Sequence, residues 1–480
     1  MTTPAQQPTA SAPSRGLPMT SKWDPGKLAR ESAELDALEN QPFASRAKGY
    51  LKRTGPGLLQ SAMTLGAGSA AASIAAGAYY GYSYLWVQPV AMFLGIMMLG
   101  ALGRVVLTTG ERPYGAFGRE LSKTLAFLWA LGTIMASVIW HFPQYGLAAG
   151  AARDLAELAG ITTAAGGSFT GAGYAVSFGI GFLILGISIA TTWSYGGKPR
   201  GIAIYEWFLR GVIALVIVLF GIVVVKTGVN WEKFAAGNFG FGWPKTDKEV
   251  TTVLGAIGAA VGINMTFLLP YSLLAKGWGK SHRKLLHWDL TMTMFLPFVL
   301  VTSLIIVGMA NTVYPFDVGR DIKPIDAAAS LQFVMGGTLG RVLFDLGFMA
   351  MTCGAISTHM VVCGFTVCEM FNLEYTVWRY RIFTLVPAIG LLGVIINQPL
   401  WMPVAASAVC LTMLPIAYVA FFIMSNKRSY IGDAVGHGWR RVVVNVILMI
   451  AIAMATIGAA IKVKSGAIDK IPQLMGRTNK

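Results

Sequence analysis

The sequence predicts an all-α polytopic membrane protein, and three observations carry that expectation. Of 480 residues, 55% are apolar and only 12% are charged, the balance of a chain solvated mostly by lipid. Apolar runs of about 20 residues, enough to cross a hydrocarbon core of about 30 Å, recur along the chain. The Lys and Arg behind the net charge of +16 fall in short clusters between those runs, in alternate connections. No basic patch interleaved with aromatics stands on a soluble domain, so no nucleic-acid partner is expected.

Residues 1–45 are rich in Ala, Pro, Gln, Ser and Thr and lack an apolar signal-peptide core, so a disordered cytoplasmic tail is expected there. A transmembrane domain over 46–465 and a short tail over 466–480 follow. Eleven spans are predicted, at 57–80, 84–107, 122–148, 172–195, 205–226, 251–275, 288–313, 338–371, 381–397, 401–424 and 440–462. Basic clusters at Arg46/Lys48/Lys52/Arg53, Arg112/Arg119/Lys123, Lys198/Arg200/Arg210, Lys280/Arg283/Lys284, Arg379/Arg381 and Lys427/Arg428/Arg440/Arg441 mark one side of the bilayer. By the positive-inside rule that side and the N-terminus are cytoplasmic, in a plasma or inner membrane, and the loop carrying Asp317 and Asp321 faces outward.

Cys353, Cys363, Cys368 and Cys410 fall within spans and lack paired C-x-x-C spacing, so reduced packing residues are expected. The chain has no P-loop, nucleophile elbow or helical His/Glu zinc motif, so neither an enzyme nor a cofactor is expected. The expected partners are the lipid bilayer and a small ion or solute, with a proton as candidate coupling ion.

Two spans are interrupted. The first breaks at Gly66-Ala67-Gly68-Ser69, and the sixth holds Asn264, Pro270 and Tyr271 in an otherwise apolar run. Unpaired backbone groups inside a bilayer need protein, water or a substrate to satisfy them, so each break is either a transport site or a close-packing helix face. Interruptions five spans apart are the signature of an inverted-repeat transporter that holds its substrate between broken helices.

GPGLLQS at Gly55–Ser61, the G-Y-x-x-L-W-V of Gly81, Tyr82, Leu85, Trp86 and Val87, and GRVVLTTG at Gly103–Gly110 resemble the start of the Nramp family of proton-coupled divalent-metal transporters. CGFTVCEMFNL at Cys363–Leu373 is similar to the family's A-G-Q-x-V-M-E-G-F-L, with Gly364 and Glu369 in register. W-R-Y-R-x-F-T-L-V-P at Trp378–Pro387, the stretch Ser407–Pro415, and Ile431-Gly432 continue the likeness, which runs from about residue 55 to 432. The resemblance implies a LeuT-like fold of two inverted five-helix repeats plus an eleventh helix.

The departures fall on the family's metal ligands. Its first-helix D-P-G-N aligns so that Asp and Asn become Gly66 and Ser69. Its sixth-span M-P-H, aligned through Pro270, becomes Leu269-Pro270-Tyr271, and a tenth-span Gln becomes Ser407. Where acidic residues of the proton path stand in the third span, this chain carries His141 and Gln144. The implied substrate site is therefore Gly66, Ala67, Gly68, Ser69, Asn264, Leu269, Tyr271 and Ser407, with Ser61, Thr64 and Ser73 as further donors.

Such a site offers hydroxyls and carbonyls in place of the carboxylate, imidazole or sulfur that holds a transition metal. A hard divalent ion that keeps its waters remains compatible. So does an anion or zwitterion, which the amide end of a broken helix attracts. His141, Gln144 and His359 are proton-relay candidates, because titratable groups at membrane depth concentrate on ion pathways. Against that stands an ordinary interhelical hydrogen bond, the preferred role for His359. Glu206 and Arg210, four apart, suit an ion pair, and Asp289, Asp345 and Glu369 suit caps or gate partners. The expected function is an alternating-access secondary transporter of the metal-ion class with an altered transition-metal site. The alternatives are a small-anion or zwitterion transporter and a receptor or scaffold that does not transport.

Overall fold

The computed structural model describes residues 25–161, 171–195, 199–316, 338–395 and 411–464, with single positions at 328, 403, 406, 407 and 410. The N-terminal stretch before residue 25, Lys198, the loop with Asp317 and Asp321, and the tail 466–480 lie outside the described residues.

Among the described residues, eighteen helices of seven residues or more carry the fold: α1 Pro25–Glu39, α2 Phe43–Leu51, α3 Pro56–Thr64, α4 Ala67–Tyr80, α5 Val87–Thr109, α6 Pro113–Glu120, α7 Lys123–Leu158, α8 Gly171–Tyr195, α9 Pro199–Thr227, α10 Trp231–Phe239, α11 Asp247–Ala260, α12 Ile263–Ala275, α13 Arg283–Asp289, α14 Leu296–Thr312, α15 Leu339–Met370, α16 Val377–Phe383, α17 Leu414–Asn426 and α18 Gly438–Val463. A π-helical turn, Leu290–Phe295, joins α13 to α14, and a 3₁₀ segment, Val386–Ile395, continues α16. Nine stretches among the described residues are long and apolar enough to cross a membrane. The broken pair α3–α4 and the shorter apolar α17 fall within two further predicted spans.

Local sequence sets the helix ends. Ser122 opens α7 by accepting the Leu125 amide, and Thr246 opens α11 in a reciprocal box with Glu249, whose Oε2 accepts the Thr246 amide at 3.3 Å. Gly110 closes α5 at φ +68°, a left-handed value glycine adopts without a Cβ penalty, and its amide donates to the Val106 carbonyl.

Each half of the bundle begins with a broken helix. The first half comprises α3–α4, α5, α7, α8 and α9; the second comprises α11–α12, α13–α14, α15, α16 with its 3₁₀ extension, and α17. α11–α12 is the fifth span after α3–α4, so the two broken helices run antiparallel. Both are almost wholly buried at the centre, whereas α9 and α18 turn Val218, Val225, Val442 and Met449 outward as a lipid-facing surface.

Two expectations are corrected. Pro25–Glu39 is helical, not part of a disordered tail: Leu35 is buried, Ser32 Oγ lies 2.5 Å from Ser281 Oγ, and Glu39 pairs with Lys284 at 2.5 Å. Glu206 pairs with Lys276 at 2.7 Å instead of with Arg210, whose guanidinium donates to the Thr54 carbonyl at 3.0 Å. The i, i+4 spacing makes an ion pair available on a helix, but a cation from another helix reached Glu206 where water is scarcer.

Candidate functional site

Both breaks are made by two non-helical residues between half-helices, Leu65 in a tighter turn (φ −80°, ψ 78°) and the other three extended. Leu65 and Gly66 (φ −146°, ψ −164°) separate α3 from α4; Val261 and Gly262 (φ −103°, ψ 165°) separate α11 from α12. The carbonyl ends of α3 and α11 and the amide ends of α4 and α12 therefore converge at one level. Each helix end carries about half an elementary charge, so the site has fixed dipoles without an ionised side chain.

The freed backbone groups find specific partners. Thr64 Oγ1 donates to the Ala259 and Ala260 carbonyls at 2.7 and 2.9 Å, tying one break to the other. The Gly66 amide donates to Ser69 Oγ at 3.2 Å, and the Ala67 amide donates to Gln144 Oε1 at 2.9 Å. At the second break the Gly262 amide meets Met265 Sδ at 3.4 Å, and Asn264 Oδ1 accepts the Met265 amide at 3.0 Å. With Oδ1 so engaged, Asn264 Nδ2 donates to His359 Nδ1 at 3.1 Å, which leaves the neutral imidazole proton on Nε2.

Between the breaks lies a cavity of about 20 Å³, room for roughly one water. Met63, Thr64, Gly66, Gly68, Ser69, Trp140, Gln144, Gly258, Ala259, Gly262, Asn264, Met265 and His359 line it. No carboxylate is among them. Among the described residues, no group of three or more His, Cys, Asp or Glu side chains gathers closely enough to hold a metal ion. The glycines keep the walls close: a Cβ on Gly66 would stand 2.5 Å from Gln144 Nε2, and one on Gly68 would run into the Trp140 ring.

Most of the sequence-predicted residues are brought together here. Gly66, Ala67, Gly68 and Ser69 form the first break, Asn264 stands just past the second, and Ser407 Oγ would be 3.0 Å from a Cβ on Gly68. Gln144 binds the first break directly. His359 reaches Asn264, and the His141 ring stands edge-on to it at 5.7 Å between centroids. His141 is fully buried, with its ring beside the backbone of Ile356 and Pro387.

Leu269 and Tyr271 do not join them. The sixth span breaks at Val261–Gly262, and Pro270 sits inside a continuous α12. Tyr271 stacks on Phe267 at 4.7 Å and its hydroxyl accepts the Tyr114 amide at 3.3 Å, on the side of α12 away from the cavity. The residues at the second break that line the cavity are Gly258, Ala259, Gly262 and Asn264. A signal for them exists in the small-residue run GAIGAAVG at Gly255–Gly262, which matches the density of glycine and alanine at the first break. Trp140 and Met265, also in the cavity wall, carry no such signal.

A family model described as Nramp, natural resistance-associated macrophage protein-like, matches residues 57–460. The "Divalent metal cation transporter MntH" of Acidiphilium cryptum is 25% identical over 439 residues, covering 88% of this chain and 90% of that protein. The crystal structure of the Eremococcus coleocola manganese transporter superposes with a TM-score of 0.69 at 15% identity, over 90% of this chain and 89% of the other. MHP1, a nucleobase-cation-symport-1 family transporter, superposes with a TM-score of 0.54 at 14% identity over 89% and 97%. At those identities the structural matches speak for the fold, which is LeuT-like: two inverted five-helix repeats and an eleventh helix. Matched over most of its length, the chain belongs to the Nramp family of multi-pass membrane transporters.

Proposed function

We propose that this protein is an alternating-access secondary transporter whose substrate site is the space between the two helix breaks. Its cargo is a divalent cation carried with part of its hydration shell. The observation that carries this reading is the convergence of the α3 and α11 carbonyl ends around one cavity, bridged by Thr64. Two half-helix dipoles with their negative ends together favour a cation, and hydroxyl, amide and carbonyl oxygens suit a hard ion that keeps waters. Relatives described as divalent metal cation transporters, 25% and 26% identical over most of both chains, support the same class. The lack of a carboxylate lowers affinity for a fully dehydrated transition metal, so Mg²⁺-like ions are preferred over Mn²⁺.

The cavity as it stands holds about one water, so cargo enters in a conformation that opens toward one side. The N-terminal face of the bundle is assigned to the cytoplasm from its clustered Lys and Arg. Proton coupling is assigned to His359 and His141, the titratable pair beside Asn264. A second reading, a small anion or zwitterion, is favoured by the neutral lining and the amide end of α4. Its weakness is that Gln144 and Ser69 already occupy two of those amides.

Uptake into proteoliposomes decides between them. Saturable Mg²⁺ flux, reduced several-fold by Asn264→Ala and shifted in pH profile by His141→Ala, is the expected result. Flux of a carboxylate or amino acid with no divalent flux would establish the second reading, and no flux of either kind would leave a receptor or scaffold.

A further inference from the structure

At the N-terminal face of the bundle, well away from the cavity, three arginines from three different spans crowd together. Arg104 lies near the end of α5, Arg283 opens α13, and Arg441 lies in the first turn of α18. Arg283 Nη2 donates to Thr108 Oγ1 at 2.7 Å, and Thr108 is one helical turn beyond Arg104. Arg441 is anchored by Nε and Nη2 to Asn426 Oδ1 at 3.3 and 3.2 Å, and Asn445 donates to the same oxygen at 2.9 Å. Arg283 and Arg441 both stand close enough for their charges to act on Arg104. The Nε atoms of Arg104 and Arg283 are buried without a hydrogen-bond partner among the described residues.

Three guanidinium groups held together by neutral partners repel one another, and a buried N–H without an acceptor costs the desolvation of that group. Elsewhere on this face several cations are matched. Lys427 pairs with Glu120 at 2.8 Å, Lys284 with Glu39 at 2.5 Å and Arg119 with Glu111 at 2.7 Å. The arginine cluster lacks only the anion. Planar guanidinium forks match the oxygens of a phosphate better than any other common anion except a carboxylate.

We propose that Arg104, Arg283 and Arg441 form a binding site for the headgroup phosphate of an anionic phospholipid. The surroundings favour lipid over free phosphate. Trp439, 72% exposed, and Val442, 62% exposed, flank Arg441, and Val446 and Met449 continue an outward apolar stripe along α18 on which acyl chains can lie. A basic pocket between spans at the membrane surface is the geometry in which such headgroups bind. A lipid seated there bridges the first repeat, the second repeat and the eleventh helix.

The test uses the full-length protein in nanodiscs of phosphatidylcholine with and without phosphatidylglycerol. It reads apparent melting temperature and, by native mass spectrometry, the lipid retained after extraction. Wild type and Arg428→Gln, which removes a cation of the same face already paired with Asp433, should retain phosphatidylglycerol and melt higher with it. Arg104→Gln and the more exposed Arg441→Gln should each retain it about fivefold less, the loss of one surface guanidinium contact. Should Arg104→Gln fail to fold, Arg441→Gln alone carries the comparison. Equal retention by wild type and Arg441→Gln overturns the site. Inorganic phosphate raising the melting temperature of the phosphatidylcholine sample as much as the lipid does would overturn the lipid assignment.

Discussion

At the scale of single residues, the breaks depend on atoms that are absent. Gly66 and Gly68 bring α4 against Gln144, Trp140 and Ala355 at distances that exclude a methyl group. Gly66→Ala and Gly68→Ala should each destabilise the protein by about 1–3 kcal/mol, the usual range for overpacking. Gly150→Ala, with open space around its Cβ position, should leave the melting temperature unchanged. Thermal unfolding in detergent checks this, and equal melting temperatures for all three variants would show that the breaks are looser than described. These glycines were legible in the sequence because a G-A-G-S run inside a span marks either a break or a close-packed face, and both need the missing side chain. Asn264, Gln144 and His359 were legible as polar groups at membrane depth. Leu269 and Tyr271 stand apart from the cavity because Pro270, the residue through which the family's M-P-H is matched, is not where the span breaks. A proline signals a missing donor, but α12 tolerates it without breaking, while the actual break uses glycine and a β-branched valine in extended conformation.

At the scale of elements, the ends of the spans are held by charged contacts drawn from different helices. The Asp289 carboxylate accepts the Gly55 and Gly57 amides at 3.2 and 2.7 Å, capping α3 from across the bundle. This is the cap expected for that acid, although its partners were not readable, because a contact spanning more than two hundred residues leaves no local pattern. On the same face Glu120, at the end of α6, binds Lys427, just past α17, and Arg119. Lys427 holds the Glu120 carboxyl below its ordinary value. A depressed folded value means that the stabilisation is present above the unfolded carboxyl pKa of about 4.3 and is lost as pH falls through the folded value. The melting temperature of wild type should therefore drop more steeply than that of Glu120→Gln on acidification below about pH 5, with the two curves parallel at neutral pH. Parallel curves throughout would mean that the contact contributes nothing, as many exposed pairs do.

At the scale of the whole molecule, eleven spans and their division into two halves follow from hydropathy and from two interruptions five spans apart, since bilayer thickness fixes helix length whatever the side chains. Helix α1 escaped notice because a short polar helix docked on a membrane protein has no such external ruler. How the two halves move depends on what closes each end. At the N-terminal end Lys276, just after α12, binds both Glu206 oxygens, at 2.7 and 3.0 Å, and the Thr54 carbonyl at 2.9 Å, so it joins the second repeat to α9 and to the foot of α3. At the far end Arg341 of α15 clasps Asp154 of α7, with Glu157 at 3.4 Å. Removing one partner of a buried pair costs about 3–5 kcal/mol, and moving a two-state equilibrium from 1:99 to 99:1 takes about 5.5 kcal/mol. The double change Lys276→Met/Glu206→Gln removes both charges and should populate a state open at the N-terminal end. A cysteine replacing Ser61, fully buried on α3, reports that opening. It should react with a water-soluble thiol reagent at least several-fold faster in the double variant than in the otherwise unchanged protein. Arg341→Met, acting at the opposite end, should give no such acceleration. If both variants accelerate the reaction equally, the protein has merely loosened, and the Lys276 contacts do not govern which side the site faces.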